Sequence, residues 1–152
     1  MRILKLLNEF VYNFINETLE NVIKEENKYF MVSPEVKKIS EAIKKKPIHI
    51  GIFLGEDKNG LFFPSMELLN ILSNKSDKKI FVKEKSEWQF LNKKDIVGRS
   101  IIKADAKKGL VLIQNEKDEN IGYGKVIRDV NTKEDIVVKN YLDRGEYLRI
   151  ER

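Results

Sequence analysis

The chain has no cysteine among its 152 residues. It therefore can form neither a disulfide nor a thiolate metal site. Histidine is nearly as scarce: His49 stands alone between Ile48 and Ile50. An imidazole needs a nucleophile or a carboxylate beside it to act in catalysis, and no partner for His49 can be named, so it reads as a strand residue at a surface or interface. No apolar run approaches the length of a membrane span. Met1–Leu7 faintly resembles a leader, but Asn8, Glu9, Asn13, Asn16 and Glu17 interrupt any apolar stretch. The expectation is a soluble, cytoplasmic protein without a membrane partner.

Phosphate-binding loops are missing as well. Gly122-Tyr123-Gly124 is a lone G-x-G inside a β pattern. Asp57-Lys58-Asn59-Gly60 has the start of a calcium loop without its remaining ligands, and a hairpin turn accounts for it. The paired carboxylates Glu25-Glu26, Glu56-Asp57 and Asp118-Glu119 all fall in turns, as solvated pairs do. These exclusions predict no catalytic residues, no metal and no cofactor, hence no enzyme.

What is present is a core-forming share of apolar residues, 41%, beside 35% charged residues, mostly Lys and Glu. The first figure excludes a disordered chain. The Lys, Glu and Ile bias resembles that of proteins from hot-living organisms. Charge is uneven along the chain. Residues 1–76 hold 11 basic and 10 acidic side chains; residues 77–152 hold 18 and 14. The net charge of +5 thus lies mostly in the second half, as expected of a half that meets a polyanion.

Apolar residues at helical spacing predict an amphipathic helix over 3–23, with Lys24–Lys28 as a polar break. Tyr29–Val32 reads as a short strand. Ser33-Pro34 then starts a helix with Val36, Ile39 and Ile43 facing inward, closed by Lys44-Lys45-Lys46 and Pro47. Ile48–Leu54 is an apolar strand. Gly55–Gly60 turns on Asn59-Gly60, and Leu61–Phe63 returns. Met66–Leu72 suggests a further helix, and Ser73–Asp77 the boundary between two domains.

Beyond the boundary short strands recur. They are Lys79–Lys83, an extended piece over 95–106 bent at Gly98, Gly109–Ile113, Ile121–Ile127, Ile136–Val138 and Glu146–Ile150. A helical turn at Glu87–Leu91 interrupts them. This spacing predicts a small barrel or sandwich, with glycines inside strands marking bulges. Lys93, Lys94, Arg99 and Lys103 cluster at the helix–strand junction; Arg144, Arg149 and Arg152 surround the last strand. A Lys-rich surface would give the same cluster without a ligand. Trp88, Phe90 and Tyr123 could stack on bases, although each reads first as core.

The order of these pieces resembles a known family. Lys79–Lys83, Glu87-Trp88-Gln89-Phe90-Leu91, Gly109–Leu112, Ile121–Gly124, Ile136–Val138 and Asp143-Arg144-Gly145-Glu146-Tyr147-Leu148-Arg149 are similar to a PUA domain, the RNA-binding pseudobarrel. With Phe30–Glu35 and Ile50–Gly55 added, the chain resembles the Nip-seven ribosome-biogenesis family. Two departures stand out. Asn92-Lys93 replaces the family's Tyr-Gly, and Val97–Ile102 keeps one glycine of a Gly-rich loop. Strand material before Tyr29 also reads as missing.

The resemblance implies an α+β chain: an N-terminal α/β domain, residues 1–76, and a C-terminal PUA-like pseudobarrel, residues 77–152. It implies a non-catalytic RNA-binding adaptor in large-subunit pre-ribosomal RNA processing, with assembly proteins held by the N-terminal domain. The RNA surface maps to Lys93, Lys94, Arg99, Lys103, Arg149 and Arg152. Two alternatives stay open: an accessory module that positions RNA for a modifying enzyme, and a protein-binding module that has lost RNA binding.

Overall fold

The computed structural model describes residues 2–43 and 51–145. His49, the lysines at 44–46, Pro47, the strand expected at Glu146–Ile150, Arg149 and Arg152 lie outside the described residues. The chain divides into two compact units, Met1–Leu68 and Leu69–Arg152.

The first unit opens with a 3₁₀ turn, Arg2–Leu4, and α1, Lys5–Val11. The helix expected over 3–23 stops there. Asn13 turns its amide back onto the Glu9 and Phe10 carbonyls, satisfying acceptors that a longer helix would have used. The apolar stripe stays buried beyond α1, but as loop and strand: Phe14, Ile15, Leu19 and Val22 are core residues. Val22 starts β1, Val22–Glu25, which pairs with β2, Lys28–Met31. The strand that seemed missing before Tyr29 is therefore present, and part of the expected polar break is its hairpin, turned at Glu26 with φ +58°.

The helix α2, Pro34–Ile43, is capped as expected, Val36 N–H donating to Ser33 Oγ at 3.2 Å. Ile39, expected inward, is 56% exposed. Two more strands follow, β3, Ile52–Lys58, and β4, Leu61–Pro64. The turn between them is shorter than expected, only Asn59-Gly60, both with positive φ. The four strands form an antiparallel meander in chain order. Phe62 joins Phe10 and Tyr29 in an aromatic cluster, with centroids 5.2 and 5.6 Å away.

Under that cluster lies a buried polar group. Tyr29 donates its hydroxyl to Asp57 Oδ2 at 2.7 Å, and Lys24 pairs with the same oxygen at 3.0 Å. Burial first, then Asp57, pushes the Tyr29 phenol above the ordinary tyrosine range. The folded chain thus keeps a proton that the unfolded chain releases near pH ~10. The unfolded state binds fewer protons above that pH, so this contribution to stability is present below ~10 and is lost as pH rises. Tyr29→Phe should cost about 1 kcal/mol at neutral pH and flatten the alkaline fall. Denaturant midpoints about two pH units below and one above the ordinary tyrosine pKa of ~10 check both.

The helix α3, Met66–Ser73, is capped by Ser65, whose Oγ accepts from Leu68 N–H at 3.1 Å. The second unit then builds a six-stranded sheet from β5, Lys79–Val82; β6, Ile96–Val97; β7, Ile101–Ala104; β8, Gly109–Gln114; β9, Asn120–Val126; and β10, Ile136–Asp143. The order is β6-β10-β9-β8-β5-β7. All pairs are antiparallel except β5 with β8. The two outermost strands, β6 and β7, are joined by one 3₁₀ turn, Gly98–Ser100, so the sheet curls into a half-barrel. Ile80, Val82, Ile96, Val111, Ile113, Val137 and Val138 fill it, closed by Phe90 from α4, Glu84–Phe90. The expected bend at Gly98 is real. A side chain there would overlap the Thr132 carbonyl, and Gly98 and Arg99 N–H donate to Asp135 and Lys133 carbonyls.

The polar turn 115–120 is tied internally. Asn115 Oδ1 accepts from Lys117 and Glu119 N–H. Fully buried Gln114 donates to Ser73 Oγ at 2.8 Å and Asp118 Oδ1 at 2.9 Å. That hydrogen bond, then Lys79, holds the Asp118 carboxyl below the usual range.

Candidate nucleic-acid interface

Helix α4 and the strand after it decide where the basic cluster stands. Phe90 is buried and anchors α4, whereas Trp88, one turn of the same helix, is 70% exposed. Of the three aromatics read first as core, Phe90 and Tyr123 are core. Trp88 departs from that reading, because α4 has only one face on the barrel. Tyr123 is buried, its hydroxyl pushed up to about 12 by burial and by Tyr141.

At the end of α4 the chain reverses tightly. Lys93 N–H donates to the Phe90 carbonyl and Lys94 N–H to that of Gln89, with Lys93 at φ +69°. This is the hydrogen-bond pattern of a helix end closed by a left-handed residue, a place where glycine is favoured. Here it carries a lysine, and the next residue is a lysine too. Both are exposed, and neither has an acidic partner among the described residues. Lys93→Gly should raise stability by about 1 kcal/mol by relieving the backbone while removing one cation. Thermal or denaturant unfolding checks it.

Arg99 lies at the far end of β6, in the 3₁₀ turn, with Nη1 3.0 Å from Glu134 Oε2. Lys103 is on β7, 3.4 Å from Asp105 and 5.3 Å from the centroid of Phe81. The structure therefore brings Lys93, Lys94 and Arg99 to the two ends of β6. It places Lys103 on the strand at the opposite end of the sheet order. Arg144 is committed elsewhere: its guanidinium donates to the Asn120 carbonyl at 3.0 Å and to Asn70 Oδ1 at 3.2 Å.

Two positioning residues escaped the sequence reading. Asn140 Nδ2 donates to the carbonyls of Phe90, at 3.0 Å, and Lys94, at 3.2 Å. Asp95 accepts from Asn140 N–H at 2.8 Å. Together they staple β10 to the turn that carries the lysines. Lone Asn and Asp residues about 45 positions apart give no signal in one sequence.

Among the described residues no group of His, Asp or Glu is placed to hold a metal ion. No helix there is long and apolar enough to cross a membrane.

The geometry has relatives. Residues 78–152 match the family described as the UPF0113 PUA domain. A UPF0113 protein from Archaeoglobus fulgidus is 32% identical over 110 residues, 68% of this chain and 63% of that protein. The chain thus spans less than two thirds of that relative's length. Among solved structures, a PUA domain protein from Thermoplasma acidophilum superposes with a TM-score of 0.53 at 24% identity, over 81% of this chain and 98% of that one. A hypothetical protein from Pyrococcus horikoshii gives 0.55 at 17%, over 99% and 93%. A PUA domain from Aeropyrum pernix, solved as a tartrate complex, gives 0.60 at 9%, over 95% and 83%. At these identities the structures are alike in fold.

Proposed function

We propose that the chain, whose residues 78–152 match the UPF0113 PUA domain family, is a non-catalytic RNA-binding adaptor. Its duty is in processing and assembly of the large ribosomal subunit, as the Nip-seven resemblance implies. The domain boundary is drawn at residues 76 and 77. RNA lies along the end of α4 and β6, contacting Lys93, Lys94 and Arg99; Lys103 on β7 is a further contact, and Arg149 and Arg152, which the resemblance also implies, lie outside the described residues.

The observation that carries this reading is the closure of α4. A lysine occupies a left-handed backbone position, followed by a second lysine, with exposed Trp88 on the same helix. Strained backbone is retained where it serves a purpose, and here it presents cations from a rigid, stapled turn. Cations position a phosphate chain and an exposed indole stacks on a base. The first unit supplies the protein-binding side, with Leu61, Phe63, Ile52 and Ile39 apolar and exposed.

The test is binding of the purified chain to a large-subunit ribosomal RNA fragment over a salt series. Affinity should fall linearly in log–log form with salt. A flat dependence would remove the reading.

A further inference from the structure

On the outward side of β9 and β10, two lysines face each other. Lys125 and Lys139 are direct cross-strand partners in the antiparallel register, and both are exposed. Such partners hold their Cβ atoms ~4.5–5.5 Å apart, and like charges there are destabilising. Neither has a carboxylate partner among the described residues. The next position outward along β10 is Tyr141, 46% exposed and set edge-on against Tyr123 at 5.8 Å. Val126, the residue after Lys125, turns the other way and packs on the core; the open groove of about 480 Å³ that it lines with Lys107, Lys108 and Arg128 includes neither lysine of the pair. The one carboxylate in that lining, Asp129, is partly engaged, accepting from Asn131 N–H at 2.8 Å.

We propose that the Lys125–Lys139 pair, with Tyr141, is a second RNA-backbone contact, separate from the α4–β6 surface. A bound phosphate lies between the two ammonium groups and relieves their repulsion, which is why a costly pair persists beside the irregularity at Asn140–Leu142. Tyr141 adds a flat face for a base. An acidic protein segment would satisfy the charges but would not use a stacking ring. The inference rests on the RNA reading above.

The experiment compares the full chain with Lys125→Gln/Lys139→Gln and Lys93→Gln/Lys94→Gln, each titrated with a mixed-sequence single-stranded RNA over a salt series. Polyglutamate serves as a second ligand. Loss of the one phosphate contact held by the β9–β10 pair should reduce the log–log salt slope by ~0.7. Without RNA, the same variant should melt about 1–3 °C higher, because the repulsion is gone. An unchanged RNA slope in this variant, while Lys93→Gln/Lys94→Gln weakens binding, overturns the second contact and leaves the first reading intact. A variant that melts lower and binds less marks a structural role and also overturns it. So does weakened binding to polyglutamate alone. Failure of the unaltered chain to bind RNA overturns both readings.

Discussion

Gly122→Ala should leave the second unit without a stable half-barrel. Gly122 lies in β9 at φ +150°, a conformation that side chains rarely adopt. A Cβ there would overlap the Leu142 carbonyl oxygen and stand 2.8 Å from the buried ring of Phe90 and 2.9 Å from Asp143 Cα. None of these atoms can yield cheaply. Leu142 and Asp143 are fixed in the β9–β10 ladder, beside the irregularity at Asn140–Leu142. Phe90 is the plug of the core. Strain and overpacking together should cost more than about 4 kcal/mol, a large part of the ~5–15 kcal/mol that holds a domain together. Gly60→Ala is the control. It also has positive φ, +76°, but nothing lies within 4 Å of an added Cβ, so it should cost only about 1 kcal/mol. Denaturant unfolding of the two variants beside the natural chain separates close approach from backbone preference.

That glycine shows what one sequence can convey. Gly122 and Gly124 within an apolar alternating run announced a bulge and not a phosphate loop, because strand glycines mark places where backbones approach. Ser33 and Asn59-Gly60 were legible for the same local reason: cap and turn chemistry is settled within a few residues. The N-terminal helix was misread because periodicity reports which residues are buried, not the backbone that buries them. Phe14, Ile15, Leu19 and Val22 are buried as the stripe required, but Asn13 ends the helix by competing for its carbonyls. Exposure of Trp88 and Ile39 was illegible for another reason. Burial of an apolar residue depends on what is packed opposite, and that is fixed only by tertiary structure. The cations were visible as a list. Their division into ion-paired residues and lysines without a carboxylate partner among the described residues required Glu134 and Asp105 to be placed in space.

That division sets the second large effect. Replacing Lys93, Lys94, Arg99 and Lys103 together by Gln should reduce the log–log salt slope of RNA binding by ~2.8, if each holds one phosphate of a single strand. Over a rise from about 50 to 200 mM salt, four such contacts account for an approximately fifty-fold change in affinity. The four are not equal. Arg99 must leave Glu134, and Lys103 must leave Asp105, before either meets a phosphate. Exposed ion pairs of this kind are worth ~0–1 kcal/mol, so that much of each contact is already offset within the protein. Lys93 and Lys94 have no such partner among the described residues. Lys93→Gln/Lys94→Gln should therefore weaken binding more than Arg99→Gln/Lys103→Gln at any one salt concentration. The same reasoning gives Glu134→Gln the opposite sign: it frees Arg99 and should tighten RNA binding, by up to about five-fold. No loss in Arg99→Gln/Lys103→Gln, together with no gain in Glu134→Gln, would mean that Arg99 does not reach the RNA, and the surface would shrink to the end of α4.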